Sequence, residues 1–569
     1  MTSTITRFIG ALGVTLVIAA TPILTQAQGL AGAYLAGNQA NRDNNYAEAA
    51  RYYTQALMRD PSSPFLQQNA LLSFVAKGDV QRATGIARKI ASSNLGSQLA
   101  DLVLIADAIK KDDFSEGAAI LKDGKQRFNP LLFGLLSGWM HLGQGQMSNA
   151  VKQFDSMENP DALRLFGQYH KALALAVVGD FEAADKILQG DEKGNLRLNR
   201  GSLIAHAQIL SQLDRGKEAV EILDRATRGT SDTSIVQLRD DIAQNGVVDY
   251  DFILNARQGV AEVFFTLSSF LTGEENERNS LIYARLAQFL RPDYSEAILL
   301  TAEILQDQEQ YDLATKTYAS LSPDDPMYVD AELGRADALQ DAEKHDAAIA
   351  VLRGLASSHG HIPRVQMSLG DVLRGEDRHE EAREAYTRAV DMIPEPAPNH
   401  WFLFYARGIT NERTDNWGQA EKDFRKALEL SPDQPLVLNY LGYSMVEMRL
   451  DLDEAQLMIE KAVAARPEDG YITDSLGWVL YSVNKFEEAV APMERAVELI
   501  SNDPIINDHL GDVYWMVGRK REAEFQWRRA LSFKPEDKDA KRIRKKLDIG
   551  LDRVLTEEKS LKDAPGNDD

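Results

Sequence analysis

The side chains best suited to chemistry in this sequence are its nine histidines, two of which could share a metal ion. His359 and His361 are separated by one residue, and imidazoles at that spacing can both ligate zinc. Such a site needs a third protein ligand, and the sequence offers no identifiable one. His379 precedes Glu380 and Glu381, but no second histidine follows at the spacing of a zinc-protease helix. We therefore expect no metal site.

Other catalytic patterns are equally scarce. The chain has no cysteine, which excludes thiolate nucleophiles and cysteine-ligated clusters. Phosphate-binding GxxxxGK and GxGxxG loops and the GxSxG elbow are absent from the sequence. Acidic pairs such as Glu487 and Glu488 fall where a helix faces solvent, which favours a hydrated surface over acid–base catalysis. We expect a protein that is not an enzyme and needs no cofactor; a hydrolase centred on residues 229–293 is the catalytic alternative.

The net charge narrows the classes of partner. The 569 residues include 63 Lys and Arg against 86 Asp and Glu, giving a formal charge of −23. Nucleic acid is therefore an unsuitable general partner, because binding it requires neutralising phosphates. With 44% apolar residues the chain can bury a sizeable core, so it is expected to fold.

The N-terminus reads as an export signal covering residues 1–27. Arg7 is followed by an apolar run from Phe8 to Leu24, and Ala27 suits cleavage before Gln28. Without a cysteine to carry lipid, a cleaved signal of bacterial type predicts a periplasmic protein. The alternative is an uncleaved N-terminal anchor in the inner membrane. Membrane association is otherwise expected to be peripheral.

A sequence pattern repeats every 34 or 35 residues, and the helices that it predicts must position any functional side chain. The recurring Leu-Gly pairs are Leu441 with Gly442, Leu476 with Gly477, and Leu510 with Gly511. Each pair is followed by an alanine, then a bulky residue four positions later: Ala455 and Ile459, Ala489 and Met493, Ala523 and Trp527. Pro467 and Pro535 close two of the units, since proline stops a helix.

This layout resembles the tetratricopeptide repeat, in which two antiparallel helices form each unit. Small residues let the two backbones approach closely, while bulky residues seat the neighbouring hairpin. The resemblance implies an all-α fold, a right-handed superhelical solenoid of helical hairpins. It also implies that first helices line a groove that binds protein.

The repeat phase divides the chain into segments. We expect an N-terminal tetratricopeptide-like array at residues 28–228, a divergent helical junction at 229–293 where the phase is lost, and a C-terminal array at 294–535. A basic capping helix is predicted at 536–555, because terminal repeats need a polar outer face. The charged end, 556–569, is predicted to be a disordered acidic tail.

In the resembled family, fixed positions of each first helix face the groove. Carried onto this sequence, they predict a partner-binding groove formed by Phe402, Tyr405, Asn439, Tyr443, Tyr471, Asp474, Trp478, Tyr481, Asp508, Asp512, Trp515 and Met516. Aromatic rings interleaved with carboxylates suit an apolar segment carrying basic residues. The alternative for any single ring is packing between helices. The family's basic clamp for a partner's C-terminal carboxylate is missing.

A narrower resemblance rests on one block. Residues 474–481, preceded by Leu441, Gly442 and Tyr443, resemble large envelope tetratricopeptide proteins that partner a carboxyl-terminal processing protease. Those proteins are lipoproteins, whereas this chain has no cysteine for a lipid. The resemblance implies a non-enzymatic periplasmic scaffold or adaptor for that protease. The alternative is an envelope-assembly factor that organises cell-wall or outer-membrane machinery.

Overall fold

The computed structural model describes residues 30–93, 96–157, 161–190, 199–227, 232–273 and 277–562. Within these ranges all regular structure is helical and no β-strand occurs, which confirms the predicted all-α fold. The predicted signal peptide, 1–27, lies outside the described residues. The chain divides into two compact units, with the first ending at Lys344 and the second beginning at His345.

The first unit contains eighteen α-helices within its described residues. They are α1 Leu30–Arg42, α2 Tyr46–Leu57, α3 Pro64–Ala76, α4 Val80–Ser92, α5 Gln98–Lys110, α6 Phe114–Asp123, α7 Pro130–Gly143, α8 Met147–Asp155, α9 Asp161–Val177, α10 Phe181–Leu188, α11 Arg200–Gln212, α12 Gly216–Thr227, α13 Thr233–Asn245, α14 Ala256–Leu271, α15 Glu277–Leu290, α16 Ser295–Asp307, α17 Tyr311–Tyr318 and α18 Tyr328–Asp341.

The second unit contains thirteen α-helices within its described residues. They are α19 His345–His359, α20 Pro363–Gly375, α21 His379–Asp391, α22 Trp401–Arg413, α23 Trp417–Leu430, α24 Pro435–Glu447, α25 Leu452–Ala465, α26 Gly470–Ser482, α27 Phe486–Leu499, α28 Pro504–Met516, α29 Lys520–Ser532, α30 Asp537–Ile549 and α31 Leu551–Lys562. Helices α20 to α29 pair as consecutive hairpins, each with a first and a second helix.

The Leu-Gly signature sets the spacing inside each hairpin. A Cβ atom on Gly477 would lie 2.5 Å from Cγ of Met493, and one on Gly511 would lie 2.4 Å from Cδ1 of Trp527. Both distances are too short for real atoms, so only glycine lets the second helix approach this closely. The prediction that glycine lets the two helices of a hairpin approach closely is confirmed. The bulky residue, which we expect to seat the neighbouring hairpin, instead contacts the glycine of its own hairpin.

Local signals start and stop these helices. Pro504 opens α28, where its fixed φ suits the first turn, and the Asp503 carboxylate accepts the backbone N–H of Ile505 and Ile506 at 2.8 and 2.9 Å. Between α28 and α29 the chain turns through Gly518, whose φ is +83°. Glycine adopts that left-handed conformation without the steric cost of a side chain.

Helices α13 to α15, from the predicted junction at 229–293, pack into the first unit. Helix α14 contacts α7 and α9, and α15 contacts α3, α4 and α5. Most of these are first helices of their hairpins, so the α14–α15 hairpin covers the row that would otherwise line a groove. Its side chains must fit helices far away in sequence, which explains why the repeat phase is lost here.

Buried polar groups anchor the α14–α15 hairpin. Tyr169 Oη donates to Glu262 Oε1 at 2.8 Å, and Arg285 Nε donates to the carbonyl oxygen of Ala76 at 3.0 Å. Glu262 is fully buried and has no cationic partner in the described structure. Burial raises its pKa to about 7, although hydroxyl donors such as Tyr294 oppose the shift.

The C-terminal end differs in two ways from its prediction. The basic segment at 536–555 is two helices rather than one, because α30 and α31 meet at Gly550, whose φ is +82°. Helix α31 continues to Lys562, through the first part of the segment predicted to be disordered. It is held by ion pairs from Arg542 to Glu558 and from Lys545 to Glu557. Residues 563–569 lie outside the described residues.

None of the helices in the described ranges combines the length and apolar character that a bilayer span requires.

Candidate partner-binding groove

The predicted groove residues lie on four successive first helices of the second unit. Helix α26 contacts both α24 and α28. Tyr405 of α22 lies against Tyr440 of α24, with ring centroids 6.0 Å apart, so the four helices form a row. Helix α22 carries Phe402 and Tyr405, α24 carries Asn439 and Tyr443, α26 carries Tyr471, Asp474, Trp478 and Tyr481, and α28 carries Asp508, Asp512, Trp515 and Met516.

Trp478 is the centre of a half-buried cluster drawn from three of these helices. Its ring stacks on Tyr481, with centroids 4.9 Å apart and planes within 7°. It also stacks on His509 of α28, with centroids 4.0 Å apart and planes within 15°. The indole N–H donates to the exposed Glu447 carboxylate of α24 at 2.7 Å. The ring is therefore held in one orientation while part of its surface remains accessible.

His509 was missed by the sequence analysis and is fixed by Asp474. Its Nδ1 lies 3.0 Å from an Asp474 carboxylate oxygen, and both side chains are buried. Burial disfavours the imidazolium form, but the Asp474 charge and hydrogen bond outweigh it, so the pKa of His509 is raised. His509 directly precedes the repeated Leu510, so the repeat alone places it on a first helix.

Asp508 and Asp512 are not available to a partner. Lys546 Nζ reaches Asp508 at 2.8 Å and Asp512 at 2.7 Å, and its residue is only 1% exposed. Trp527 Nε1 also donates to Asp512 at 2.9 Å. Burial raises the pKa of Asp508, as does the Asp512 charge, while Lys546 opposes both. The predicted role of these carboxylates in recruiting a basic partner is wrong, because α30 docks on the last hairpin and supplies the cation itself.

Trp515 belongs with this cap rather than with the Trp478 cluster. Its ring lies 5.3 Å from that of the fully buried Trp527, and its indole N–H donates to Asp552 of α31 at 3.0 Å. Gly550 lies directly against the ring, since a Cβ atom there would be 2.9 Å from Trp515. Met516 is partly buried against the same core. The sequence predicts Trp478, Tyr481 and Trp515 as residues of one groove. In the structure the first two stack on each other, whereas Trp515, also partly exposed, lies against the cap.

A second aromatic group lies upstream on the row. Tyr405 is 6.2 Å from Phe402, 6.0 Å from Trp401 and 6.0 Å from Tyr440, measured between ring centroids. Phe402 is 37% exposed. Trp401 and Tyr440 were missed because the family positions pass over them, although each directly precedes a residue singled out from the repeat.

Three predicted residues remain open or half-buried. Tyr471 is 59% exposed, at the start of α26. Tyr443 is half-buried, and burial raises its pKa, with further contributions from Glu447 and Asp474. Asn439 is half-buried too, and its Oδ1 atom has no hydrogen-bond partner within the described structure. That oxygen is itself buried, so it is not exposed to a bound chain.

The two histidines considered as metal ligands lie at the end of α19 and just beyond it. Their ring centroids are 6.3 Å apart. Among the described residues, no group of three His, Asp or Glu side chains is placed to hold a metal ion.

The helical hairpins and their glycine contacts agree with a known family. Residues 333–399 match the tetratricopeptide repeat family. A stretch of 110 residues is 33% identical to a tetratricopeptide repeat-containing protein of Pseudomonas aeruginosa, covering 19% of this chain and 18% of that protein. Both findings support tetratricopeptide repeats in this chain, and repeats of this kind mediate interactions between proteins.

Two solved structures show weak overall similarity to this chain. The hetero-tetramer Cut9–Hcn1 of the APC/C is 14% identical, with a TM-score of 0.37 over 91% of this chain and 96% of that chain. A tetratricopeptide repeat protein from Parabacteroides merdae is 17% identical, with a TM-score of 0.37 over 45% of this chain and 98% of that chain. The fold class rests on the helices of the chain itself.

Proposed function

We propose that this protein is a non-enzymatic scaffold that binds a protein partner along the first helices of its second unit. The observation that carries the proposal is the Trp478 cluster. A large ring is held by stacking on Tyr481 and His509 and by a hydrogen bond to Glu447, yet stays partly accessible. Such an ordered aromatic side chain binds with little further loss of entropy.

The chemistry of the row indicates what kind of segment it would hold. The exposed rings of Phe402 and Tyr471 offer apolar contact. Glu447 supplies an exposed negative charge beside Trp478. An extended or helical segment that is apolar and carries a basic residue fits this surface.

For the partner, we propose a carboxyl-terminal processing protease of the envelope. The support is the resemblance of residues 474–481 and the preceding Leu441, Gly442 and Tyr443, since Trp478 and Tyr481 of that block form the centre of the cluster. An assembly factor for cell-wall or outer-membrane machinery is the second candidate, because the groove itself does not favour a protease over other proteins.

We further propose a periplasmic location, supported by the apolar run from Phe8 to Leu24 with Ala27 at a suitable cleavage point. N-terminal sequencing of the native protein should begin near Gln28. Recovery of intact Met1 from a cytoplasmic fraction would contradict export, whereas intact Met1 in the inner membrane would indicate the uncleaved anchor.

Binding is tested by photo-crosslinking in cells. A photoreactive residue replaces the exposed Tyr471 in one strain and the exposed Leu457, on the second helix α25, in a control strain. Leu457 is 62% exposed against 59% for Tyr471, so both probes have similar access. We expect one dominant adduct from position 471 and none of that mass from 457. Identification of a protease supports the adaptor, wall synthases or assembly proteins support the alternative, and equal adducts from both positions would refute the groove.

A further inference from the structure

The C-terminal end reverses the charge of the rest of the molecule. Residues 519–546 hold twelve Lys and Arg against five Asp and Glu, although acidic residues outnumber basic ones by 86 to 63 in the whole chain. Part of this charge is used internally, because Lys546 and Arg542 bind Asp508 and Asp512. Four more cations form ion pairs with other carboxylates: Arg519, Lys520, Arg528 and Lys545. The other Lys and Arg side chains of this segment need a separate explanation.

Comparison between repeats shows that the reversal is local to the last hairpin. Arg521, Phe525 and Arg528 lie at spacings of four and three, which place them on one face of α29. The equivalent positions one repeat earlier are Glu487, Ala491 and Glu494, and two repeats earlier they are Asp453, Leu457 and Glu460. The same face is therefore acidic in α25 and α27 but basic in α29. Phe525 is 63% exposed between its two arginines.

Helix α30, which contacts α29, extends the positive surface. Lys538, Lys541 and Arg544 are all exposed. Within the described structure none of the three forms a hydrogen bond or an ion pair, and the same is true of the exposed Arg521. Unpaired cations on two adjoining helices, in a chain with excess carboxylates, leave a surface whose charge is not satisfied internally.

We propose that this surface docks on an anionic lipid membrane. The basic terminal face consists of Arg521, Phe525, Arg528, Lys538, Lys541 and Arg544. Its cations suit lipid phosphates, and an exposed ring flanked by arginines suits the boundary between headgroups and acyl chains. The acidic remainder of the chain disfavours nucleic acid as the anionic partner. Salt screens the acidic body beyond about 10 Å, so the contact is confined to this face.

The proposal is independent of the groove, because none of the six residues belongs to the Trp478 cluster. Docking through the C-terminal face would hold the scaffold at a membrane surface and would not require a membrane-spanning helix or a covalently attached lipid.

The test is flotation of the purified full chain with vesicles. Phosphatidylglycerol mixed with phosphatidylcholine is compared with phosphatidylcholine alone, and the readout is the difference between them. We expect binding to the anionic vesicles that weakens as salt is raised. Replacing Lys538→Gln, Lys541→Gln and Arg544→Gln together should lower partitioning about a hundredfold, and Phe525→Ser should lower it several-fold.

A matched control removes the same charge elsewhere. Lys122→Gln, Lys186→Gln and Lys217→Gln replace three exposed lysines of the first unit and should leave binding unchanged. The proposal fails if the wild type shows no preference for anionic vesicles, or if the control loses as much binding as the terminal variant. It also fails if soluble polyglutamate binds this face while anionic vesicles do not, which would indicate an acidic protein as the partner.

Discussion

The two units treat their first helices in opposite ways. In the first unit, the α14–α15 hairpin covers α3, α5, α7 and α9. Its own side chains Glu262 and Arg285 are buried. In the second unit, α22, α24 and α26 keep rings such as Phe402 and Trp478 at least partly exposed. Among its described residues, α30 and α31 cover the last hairpin. The first helices are therefore covered by another hairpin in one unit and remain partly exposed in the other.

The largest effect is expected where the second unit is closed. Lys546→Ala removes the buried cation from Asp508 and Asp512 and leaves only Arg542, 3.4 Å from Asp512, which should cost about 3 to 5 kcal/mol of the free energy of unfolding. The control is Lys545→Ala, which removes a neighbouring but exposed ion pair and should cost at most about 1 kcal/mol. Urea unfolding followed by circular dichroism measures both, and equal costs would mean that α30 is not docked on the last hairpin.

The next prediction tests the packing of α14 on α7 in the first unit. In Gly259→Val the added Cβ atom would meet the buried Trp139 ring at 2.2 Å, so the variant should lose about 1 to 3 kcal/mol or more through overpacking. Gly85→Ala in α4 meets no atom within 4 Å and should instead gain up to about 1 kcal/mol, because alanine favours a helix.

Hydrogen exchange resolved by peptide gives the location of the Gly259→Val effect. Faster exchange in α7, α9 and α14, with unchanged exchange in α22 to α28, would agree with an α14–α15 hairpin that covers the first helices of the first unit. A variant as stable as the wild type would show that α14 does not rest on α7.

Trp478 and Trp515 are both partly exposed, and they compare a ring outside the C-terminal cap with a ring held against it. Trp478→Ala should weaken partner binding about thirtyfold, corresponding to about 2 kcal/mol, with a small change in melting temperature. Trp515→Ala should do the reverse, because that ring packs between Trp527 and Gly550. Calorimetric titration and thermal melts are compared on folded protein. If Trp478→Ala destabilises as strongly as Trp515→Ala and leaves binding intact, both rings are core residues.

The last prediction concerns the pH dependence of stability that Glu262 gives to the first unit. The folded-state pKa of Glu262, about 7, lies above its ordinary value of 4.5. The contribution of the neutral Glu262 carboxyl group to the free energy of unfolding is then fully present below about pH 4.5 and is lost as pH rises through about 7. Glu262→Gln removes this loss, so the stability of the variant relative to the wild type should rise by about 2.5 kcal/mol between pH 5 and pH 8. Unfolding measured at both pH values checks this, and a constant difference would mean that the carboxyl group titrates normally.

The local fold was predictable because it depends on residues close in sequence. The spacing from Gly477 to Met493 predicts a hairpin, and the structure has that contact. The covering of the first unit could not be foreseen in the same way, because its contacts join distant residues: Glu262 meets Tyr169 across 93 positions, and Arg285 meets Ala76 across 209. No periodicity encodes such a pairing.

The candidate site was predictable in part for the same reason. Repeat positions identify Trp478 and Tyr481, whose stacking lies within one helix. They misjudge Asp508 and Asp512, because a groove position is open only if nothing docks on it, and the docking of Lys546 is a property of the last hairpin alone. The repeat treats every unit as equivalent, so it cannot show what covers the final one.

The covering of α3 to α9 by α14 and α15 also affects the order of folding. A chain of hairpins that touch only their neighbours can fold progressively from its N-terminus as it is synthesised. Here the partners of α3 and α5 lie in α15, which ends at Leu290, so the first unit cannot complete its packing until about half the chain has emerged. Contacts between such distant residues slow folding and prolong the exposure of apolar surface. The first unit is therefore the part of the molecule that we expect to need protection from aggregation while it is made.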